Sequence, residues 1–127
     1  MPPDDRDVAY LWDMPDAART VRELAMGVSL HDYLKDRKLQ LAVERAVEIV
    51  GEAARRVSDG FRTAHPGIPW RRIVGQRTIL AHDYGAIRQE RMWRTATVDV
   101  PALIALLEPL VPDPPPGETP WRKEDER

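Results

Sequence analysis

The sequence predicts an all-α protein, folded as an antiparallel bundle of four to five helices. Apolar residues recur every three or four positions along most of residues 8 to 110, and the alternation that marks a strand does not appear in the sequence. The chain has 127 residues, 43% hydrophobic and 31% charged, which is typical of one globular domain. We therefore expect a helical domain at residues 1–110 and a proline-rich, charged, disordered tail at 111–127.

The first predicted helix spans residues 8 to 28 and contains Pro15. Proline removes a backbone donor, so we expect either a kink or a two-piece helix that restarts with Asp13 as its cap. The sequence from Ser29 to Asp32 resembles a capping box, which predicts a short second helix through Leu34.

The strongest helical signal runs from Asp36 to Val57 and predicts the central helix of the bundle. Its apolar residues form one broad stripe, and its charged residues are placed mostly opposite. The predicted stripe contains Leu39, Ala42, Val43, Ala46, Val47, Ile49, Val50, Ala53, Ala54 and Val57, and the opposite side contains Glu44, Arg45, Glu48, Arg55 and Arg56.

Three further elements follow. A connection from Ser58 to Gly67 is expected to hold one helical turn around Phe61. The next helix, from about Trp70 to Tyr84, directly follows a proline. The last runs from about Ala86 to Leu110 with a bend at Asp99-Val100-Pro101, and its inward residues are predicted to be Trp93, Ala96, Val100, Leu103, Ile104, Leu107 and Leu110.

Composition excludes several classes of function. The absence of cysteine excludes disulfides, thiol catalysis and Cys-ligated zinc. The histidines, His31, His65 and His82, are too far apart in sequence to resemble metal ligands, so we expect neither a metal nor another cofactor, and His31 and His65 are interpreted as surface residues. No apolar run approaches the ~20 residues that span a membrane, and the acidic N-terminus does not resemble a signal peptide. The expected location is the cytoplasm.

The segment Arg77-Thr78-Ile79-Leu80-Ala81-His82-Asp83-Tyr84 combines a permanent cation, an imidazole and a phenol. Arginine presents a planar fork of donors that suits phosphate. Histidine, with an unperturbed pKa of ~6.5, can exchange a proton near neutrality. The spacing of Arg77 and His82 is common by chance, so the surroundings must support the interpretation.

The surroundings of this segment are basic. Residues 71 to 94 contain six arginines against Asp83 and Glu90, a local net charge of +4 in a chain whose net charge is −2. An arginine-rich solvated face and a binding surface for an anion explain this equally well.

With its helices placed, the chain resembles the HEPN superfamily and, within it, the HepT-type toxins of two-gene toxin–antitoxin pairs. The resemblance covers roughly residues 5 to 110. It rests on Leu11-Trp12-Asp13, on Gln40-Leu41-Ala42-Val43-Glu44-Arg45-Ala46 running into Ile49-Val50-Gly51-Glu52-Ala53-Ala54, on His65-Pro66-Gly67-Ile68-Pro69-Trp70, and on Arg77-xxxx-His82-x-Tyr84.

This resemblance implies a metal-independent endoribonuclease whose active site forms between two subunits. His82 would move protons, and Arg77 would hold the scissile phosphate. Cleavage by the RNA 2′-hydroxyl needs a base and an acid, yet each chain offers one suitable histidine, so a homodimer would supply the second. Arg71, Arg72 and Arg88 would guide the RNA backbone.

The family often carries Asn directly after the motif arginine, where this chain has Thr78. A hydroxyl cannot reproduce both the donors and the acceptor of an amide. Thr78 therefore favours an alternative function, a non-catalytic helical adaptor that binds a nucleotidyltransferase partner or a nucleotide. In the catalytic interpretation Thr78 and Asp83 support the active site.

The resemblance also implies an antitoxin, a minimal nucleotidyltransferase of the MntA type that transfers AMP onto Tyr84. Without the family, a buried aromatic with a bonded hydroxyl would be the preferred interpretation of Tyr84. Glu52 has two comparable interpretations: it orients Arg77, or it forms an ordinary surface pair with Arg56.

Overall fold

The computed structural model describes residues 5–75 and 88–110, with side chains from Asp7 onward. Every regular element in these ranges is helical, which confirms the predicted all-α fold. The α-helices are α1 (Asp5–Ala25), α2 (Leu30–Lys35), α3 (Arg37–Arg56), α4 (Asp59–Ala64), α5 (residues 70–75), α6 (Gln89–Arg94) and α7 (Val100–Leu107); a π-helical segment (Thr95–Asp99) joins α6 to α7, and a 3-10 turn (Glu108–Leu110) follows. The predicted tail, 111–127, lies outside the described residues.

Helix α1 is continuous through Pro15, so the predicted restart at Asp13 is wrong. Leu11 and Met14, on one side of the proline, and Ala18 and Val21, on the other, are all fully buried. Burying Leu11, Met14 and Val21 contributes roughly 1.5–3 kcal/mol each, and together these contributions outweigh the ~3 kcal/mol cost of an interior proline. The helix also lies three residues earlier than predicted. It is followed by Gly27, whose φ of +74° favours glycine.

The cap predicted at Ser29 is confirmed, and Asp36 and Ser58 cap two further helices whose positions were predicted from other signals. The Ser29 side chain accepts a hydrogen bond from the Asp32 amide at 3.1 Å, and Asp36 accepts one from the Leu39 amide at 3.0 Å. Ser58 caps α4 in the same way through the Phe61 amide. The predicted short helix, the central helix and the turn around Phe61 are therefore confirmed.

Helices α1 and α3 are antiparallel neighbours, because the start of one lies beside the end of the other. Asp7, only 3% exposed, accepts hydrogen bonds from the Ser58 amide at 2.8 Å and from its hydroxyl at 2.6 Å. Arg19 and Glu108, 3.3 Å apart, join α1 to the turn after α7. The core lies between α1, α3 and α7, and its members include Leu11, Val21, Val43, Ala54, Leu103 and Leu107.

Two assignments on α3 are wrong. Glu44, predicted opposite the apolar stripe, is 7% exposed, and Ile49, predicted within the stripe, is 38% exposed. Gln40 is also buried. The buried surface of α3 is therefore rotated relative to the apolar stripe, and it contains two polar side chains: Gln40 bonds to carbonyls of α2, and Glu44 lies near Arg37 of α3 itself.

The irregularity predicted near Pro101 is a π-helical segment that ends directly before α7. The Val100 amide bonds to the Thr95 carbonyl, five residues back. Pro101 has no amide to donate, and the Thr97 hydroxyl bonds the Trp93 carbonyl at 2.8 Å. Of the predicted inward residues, Trp93 and Leu110 are partly buried and the other five are buried; Met92, 2% exposed, belongs with them.

Candidate functional site

The segment from Arg77 to Tyr84, with Thr78, His82 and Asp83, lies outside the described residues. The chain is described on both sides of it, up to residue 75 and again from residue 88. The structure therefore places four predicted site residues, Glu52, Arg71, Arg72 and Arg88.

The helix that leads into the segment starts at Trp70, as predicted. The indole Nε1–H donates to the His65 carbonyl at 3.0 Å, and the ring is 9% exposed. Phe61 packs edge-on against this indole, with ring centroids 6.4 Å apart, and also against the His65 imidazole at 4.3 Å. These contacts fix the entry to α5 and give His65 a local packing role.

Arg71 and Arg72 are both exposed at the start of α5. Nη2 of Arg72 lies 2.9 Å from Oδ2 of Asp99 in the π-helical segment. An arginine has five donors, so this ion pair leaves others available. The structure thus adds a tertiary role for Arg72 to the predicted role in RNA binding.

On the other side of the segment, α6 is attached to α2 through Gln89. The Tyr33 hydroxyl donates to Gln89 Oε1 at 2.7 Å. The Tyr33 ring, which is fully buried, packs against the Trp93 ring with centroids 4.7 Å apart. Tyr33 therefore fixes the position of α6 directly after Arg88, which is exposed.

A buried polar cluster surrounds Tyr33. Gln40 Nε2 donates to the Tyr33 and Leu34 carbonyls, at 3.0 and 3.2 Å. Arg37 donates to Gln40 Oε1 at 3.3 Å and lies 3.7 Å from Glu44. Burial raises the pKa of Tyr33 above its usual range, and the negative charge of Glu44 adds to this effect while Arg37 opposes it. The sequence offered a signal for this cluster, namely two polar residues four apart at the edge of the α3 stripe.

Glu52 forms the surface pair that was one of its two interpretations. Its Oε1 lies 2.7 Å from Arg56 Nε and 3.2 Å from Arg55 Nη2. The other interpretation, a contact with Arg77, concerns a residue outside the described ranges and stays a prediction.

Glu52 also lines a cavity of about 330 Å³ between α1 and α3 with Tyr10 and Asp13. Burial, together with the negative charge of Asp16, raises the pKa of Asp13. This cavity therefore gathers the Asp13 carboxyl with its raised pKa, the Tyr10 phenol and the Glu52 carboxylate.

The described surface around the segment is basic. Arg71, Arg88, Arg91 and Arg94 are exposed, and none lies within ion-pair distance of an acidic residue in the described ranges. Arg91 and Arg94 contributed to the local charge of +4 but were not predicted to be site residues. Such unpaired guanidinium groups suit an anionic ligand.

Within residues 5–75 and 88–110, no cluster of three or more His, Asp or Glu side chains is arranged to hold a metal ion. The helices in the same ranges include none with the length and apolar character needed to cross a membrane.

Comparison with known proteins identifies the family. The family model described as ribonuclease HepT-like matches residues 14–110, a range that includes the segment from Arg77 to Tyr84. The chain belongs to the HepT-like ribonuclease family. Membership in the HepT-like family confirms the resemblance found in the sequence and the predicted enzyme class, ribonuclease.

Curated HepT-like relatives match most of the chain. A Thermococcus cleftensis protein named "Probable ribonuclease HepT" is 37% identical over 101 residues, which cover 80% of this chain and 92% of the relative. A Methanocaldococcus jannaschii protein named "Putative RNase MJ1380" is 36% identical over 99 residues, 77% of this chain and 91% of the relative. None of the solved structures compared with the chain matched it.

Proposed function

We propose that this HepT-like protein is a metal-independent endoribonuclease that acts as the toxin of a toxin–antitoxin pair. The observation that carries the proposal is the family match over residues 14–110, which spans Arg77 and His82. Two relatives are named "Probable ribonuclease HepT" and "Putative RNase MJ1380", and these names support the same substrate class. RNA is available in the cytoplasm, which is the location we propose.

The chemistry follows from the two motif side chains. One His82 accepts the proton of a 2′-hydroxyl, the 2′-oxygen attacks the adjacent phosphorus, and the P–O5′ bond breaks. A second imidazole donates a proton to the leaving 5′-oxygen, so the products are a 2′,3′-cyclic phosphate and a 5′-hydroxyl. Each proton transfer contributes roughly 10²–10⁴ in rate. Arg77 binds the phosphate and stabilises the charge that develops in the transition state.

The proposal requires a homodimer, because one chain has one suitable histidine and the reaction uses a base and an acid. The second proton carrier is the partner subunit's His82. Thr78, Asp83 and Glu52 support the site, and Arg71, Arg72 and Arg88 contact the RNA backbone. The exposed positions of these three arginines, on both sides of the motif, are consistent with that role.

The proposed partner is a minimal nucleotidyltransferase antitoxin that transfers AMP from ATP onto the Tyr84 hydroxyl and releases pyrophosphate. A nucleotide on Tyr84 adds bulk and negative charge two residues from His82, and negative charge there would oppose the approach of an RNA phosphate.

The deciding experiment incubates the purified protein with bulk RNA and EDTA. We expect cleavage that persists in the chelator and disappears in His82→Ala, while His31→Ala, a control at an exposed histidine, cleaves normally. The products should carry 2′,3′-cyclic phosphates. Wild-type protein that binds the nucleotidyltransferase but cuts no RNA at any concentration would support the non-catalytic adaptor instead, which Thr78 favours.

A further inference from the structure

Helix α6 has two chemically different sides, and the inner one is firmly attached. Gln89 bonds to Tyr33, Trp93 packs against the same ring, and Met92 is 2% exposed. At 100° per residue these positions share one side of the helix. The opposite side of α6 holds Glu90, Arg91 and Arg94, which are all exposed.

The outer side carries three arginines, Arg88, Arg91 and Arg94, all exposed. Arg91 and Arg94, three residues apart on α6, lie within an arc of about 60°, and Arg88 is the cap residue directly before the helix. A favourable interaction with free carbonyls at a helix end is a common reason for such residues. It explains little here, because α6 continues into the π-helical segment and then α7.

Ion pairing does not explain these arginines either. Every arginine of α3 and α4 lies within 4 Å of an acidic side chain. By contrast, the part of the chain that the structure describes gives Arg88, Arg91 and Arg94 no acidic partner, although Glu90 stands four residues before Arg94. Three neighbouring cations that have no acidic partner in the described ranges repel one another, which is a cost that binding of an anion removes.

We propose that the outer side of α6, formed by Arg88, Arg91 and Arg94, binds the phosphate backbone of the RNA substrate. The inference rests on the proposed function and extends it, because it adds Arg91 and Arg94 and places the strand along α6. Guanidinium forks bind phosphate oxygens in pairs. Because such contacts position a nucleic acid without reading its bases, this surface binds RNA irrespective of sequence.

The test compares two triple variants with equal loss of charge. One is Arg88→Gln, Arg91→Gln, Arg94→Gln. The control is Arg22→Gln, Lys35→Gln, Lys38→Gln, whose wild-type side chains are also exposed and outside any ion pair of the described ranges. Fluorescence anisotropy measures binding of a mixed-sequence, single-stranded oligoribonucleotide from 0.05 to 0.5 M salt, and cleavage is measured in parallel.

We expect the α6 variant to bind at least ~10-fold more weakly at low salt, with a salt slope shallower by about 2 for three lost phosphate contacts. Its KM should rise with little change in kcat, and the control should resemble wild type. Equal weakening in both variants would show a general charge effect and overturn the inference. The inference would also be overturned if light scattering showed that the α6 variant is a monomer. The same holds if the variant binds the nucleotidyltransferase partner more weakly but binds RNA like wild type.

The two proposals fail in different ways. Wild-type protein that binds RNA without cutting it contradicts the proposed function, yet the binding comparison still decides whether α6 carries the strand. If the α6 variant cuts RNA with the same kcat and KM as wild type, only the role of α6 is contradicted.

Discussion

Arg72 Nη2 lies 2.9 Å from Asp99 Oδ2, although the two residues are 27 positions apart in sequence. The pair joins α5, which leads into the motif, to the π-helical segment that follows α6. The pair therefore connects the helix before the motif to a segment after it, and it places one acidic side chain beside a proposed RNA-binding arginine.

Removing this acid should strengthen RNA binding. In Asp99→Asn the side chain keeps its shape, but Arg72 is released to contact a phosphate. We expect about 2- to 5-fold tighter binding of a single-stranded oligoribonucleotide at 0.05 M salt and no difference above ~0.5 M. The free energy of unfolding should fall by less than about 1 kcal/mol, because the pair is exposed. Unchanged or weaker binding would show that Arg72 serves the fold alone.

The hydrogen bond between Tyr33 and Gln89 should stabilise the fold by about 1 kcal/mol. Tyr33→Phe leaves the Gln89 oxygen without this donor, and urea unfolding measures the loss. Gln89→Leu in the Tyr33→Phe background removes the acceptor that has lost its donor. The double variant should therefore lose less free energy of unfolding than the sum of the losses in the two single variants. Additive losses would contradict a direct interaction.

The raised pKa of Tyr33 predicts a loss of stability in alkaline solution. Below pH 10, the usual tyrosine pKa, the hydroxyl keeps its proton in both states, and its contribution is fully present. Above pH 10 the unfolded chain releases a proton that the folded chain retains, so stability falls as pH rises. Urea midpoints from pH 8 to 11 should therefore fall more steeply for wild type than for Tyr33→Phe. Parallel curves would refute the assignment.

Glu52 and Glu48 provide a matched pair on α3. Both pair with arginines of the same helix, Glu48 with Arg45 at 3.2 Å, but Glu52 alone is proposed to support the active site. We expect Glu52→Gln to lower kcat of RNA cleavage about 10-fold or more with little change in KM, while Glu48→Gln leaves both unchanged. Equal activities would leave Glu52 as a surface pair.

Adjacent leucines test the orientation of α7. Leu107 is fully buried, whereas Leu106 is 43% exposed. Leu107→Ala should destabilise the protein by about 2–5 kcal/mol through lost burial and a cavity. Leu106→Ala should cost less than about 1 kcal/mol, since it removes little buried surface. Thermal unfolding measures both, and similar losses would contradict the packing of α7 against α1.

Several features of the protein follow from the sequence alone, because short-range interactions decide them. Ser29, Asp36 and Ser58 each cap a helix with an amide three residues away, so neighbours in sequence suffice. The helical periodicity predicted the all-α fold, and the motif blocks predicted the family. The role of Arg77 and His82 remains a prediction from the sequence.

Tertiary structure decided the rest, because the energies involved come from residues distant in sequence. Packing of α1 on both sides of Pro15 outweighs the proline penalty that predicted a restart. Glu44 is buried close enough to Tyr33 of α2 for its charge to raise the Tyr33 pKa, although it was predicted opposite the apolar stripe. Tyr33 and Gln89, which are 56 positions apart in sequence, are joined by a hydrogen bond. That contact sets the rotation of α6, and this rotation determines that Arg88, Arg91 and Arg94 face outward.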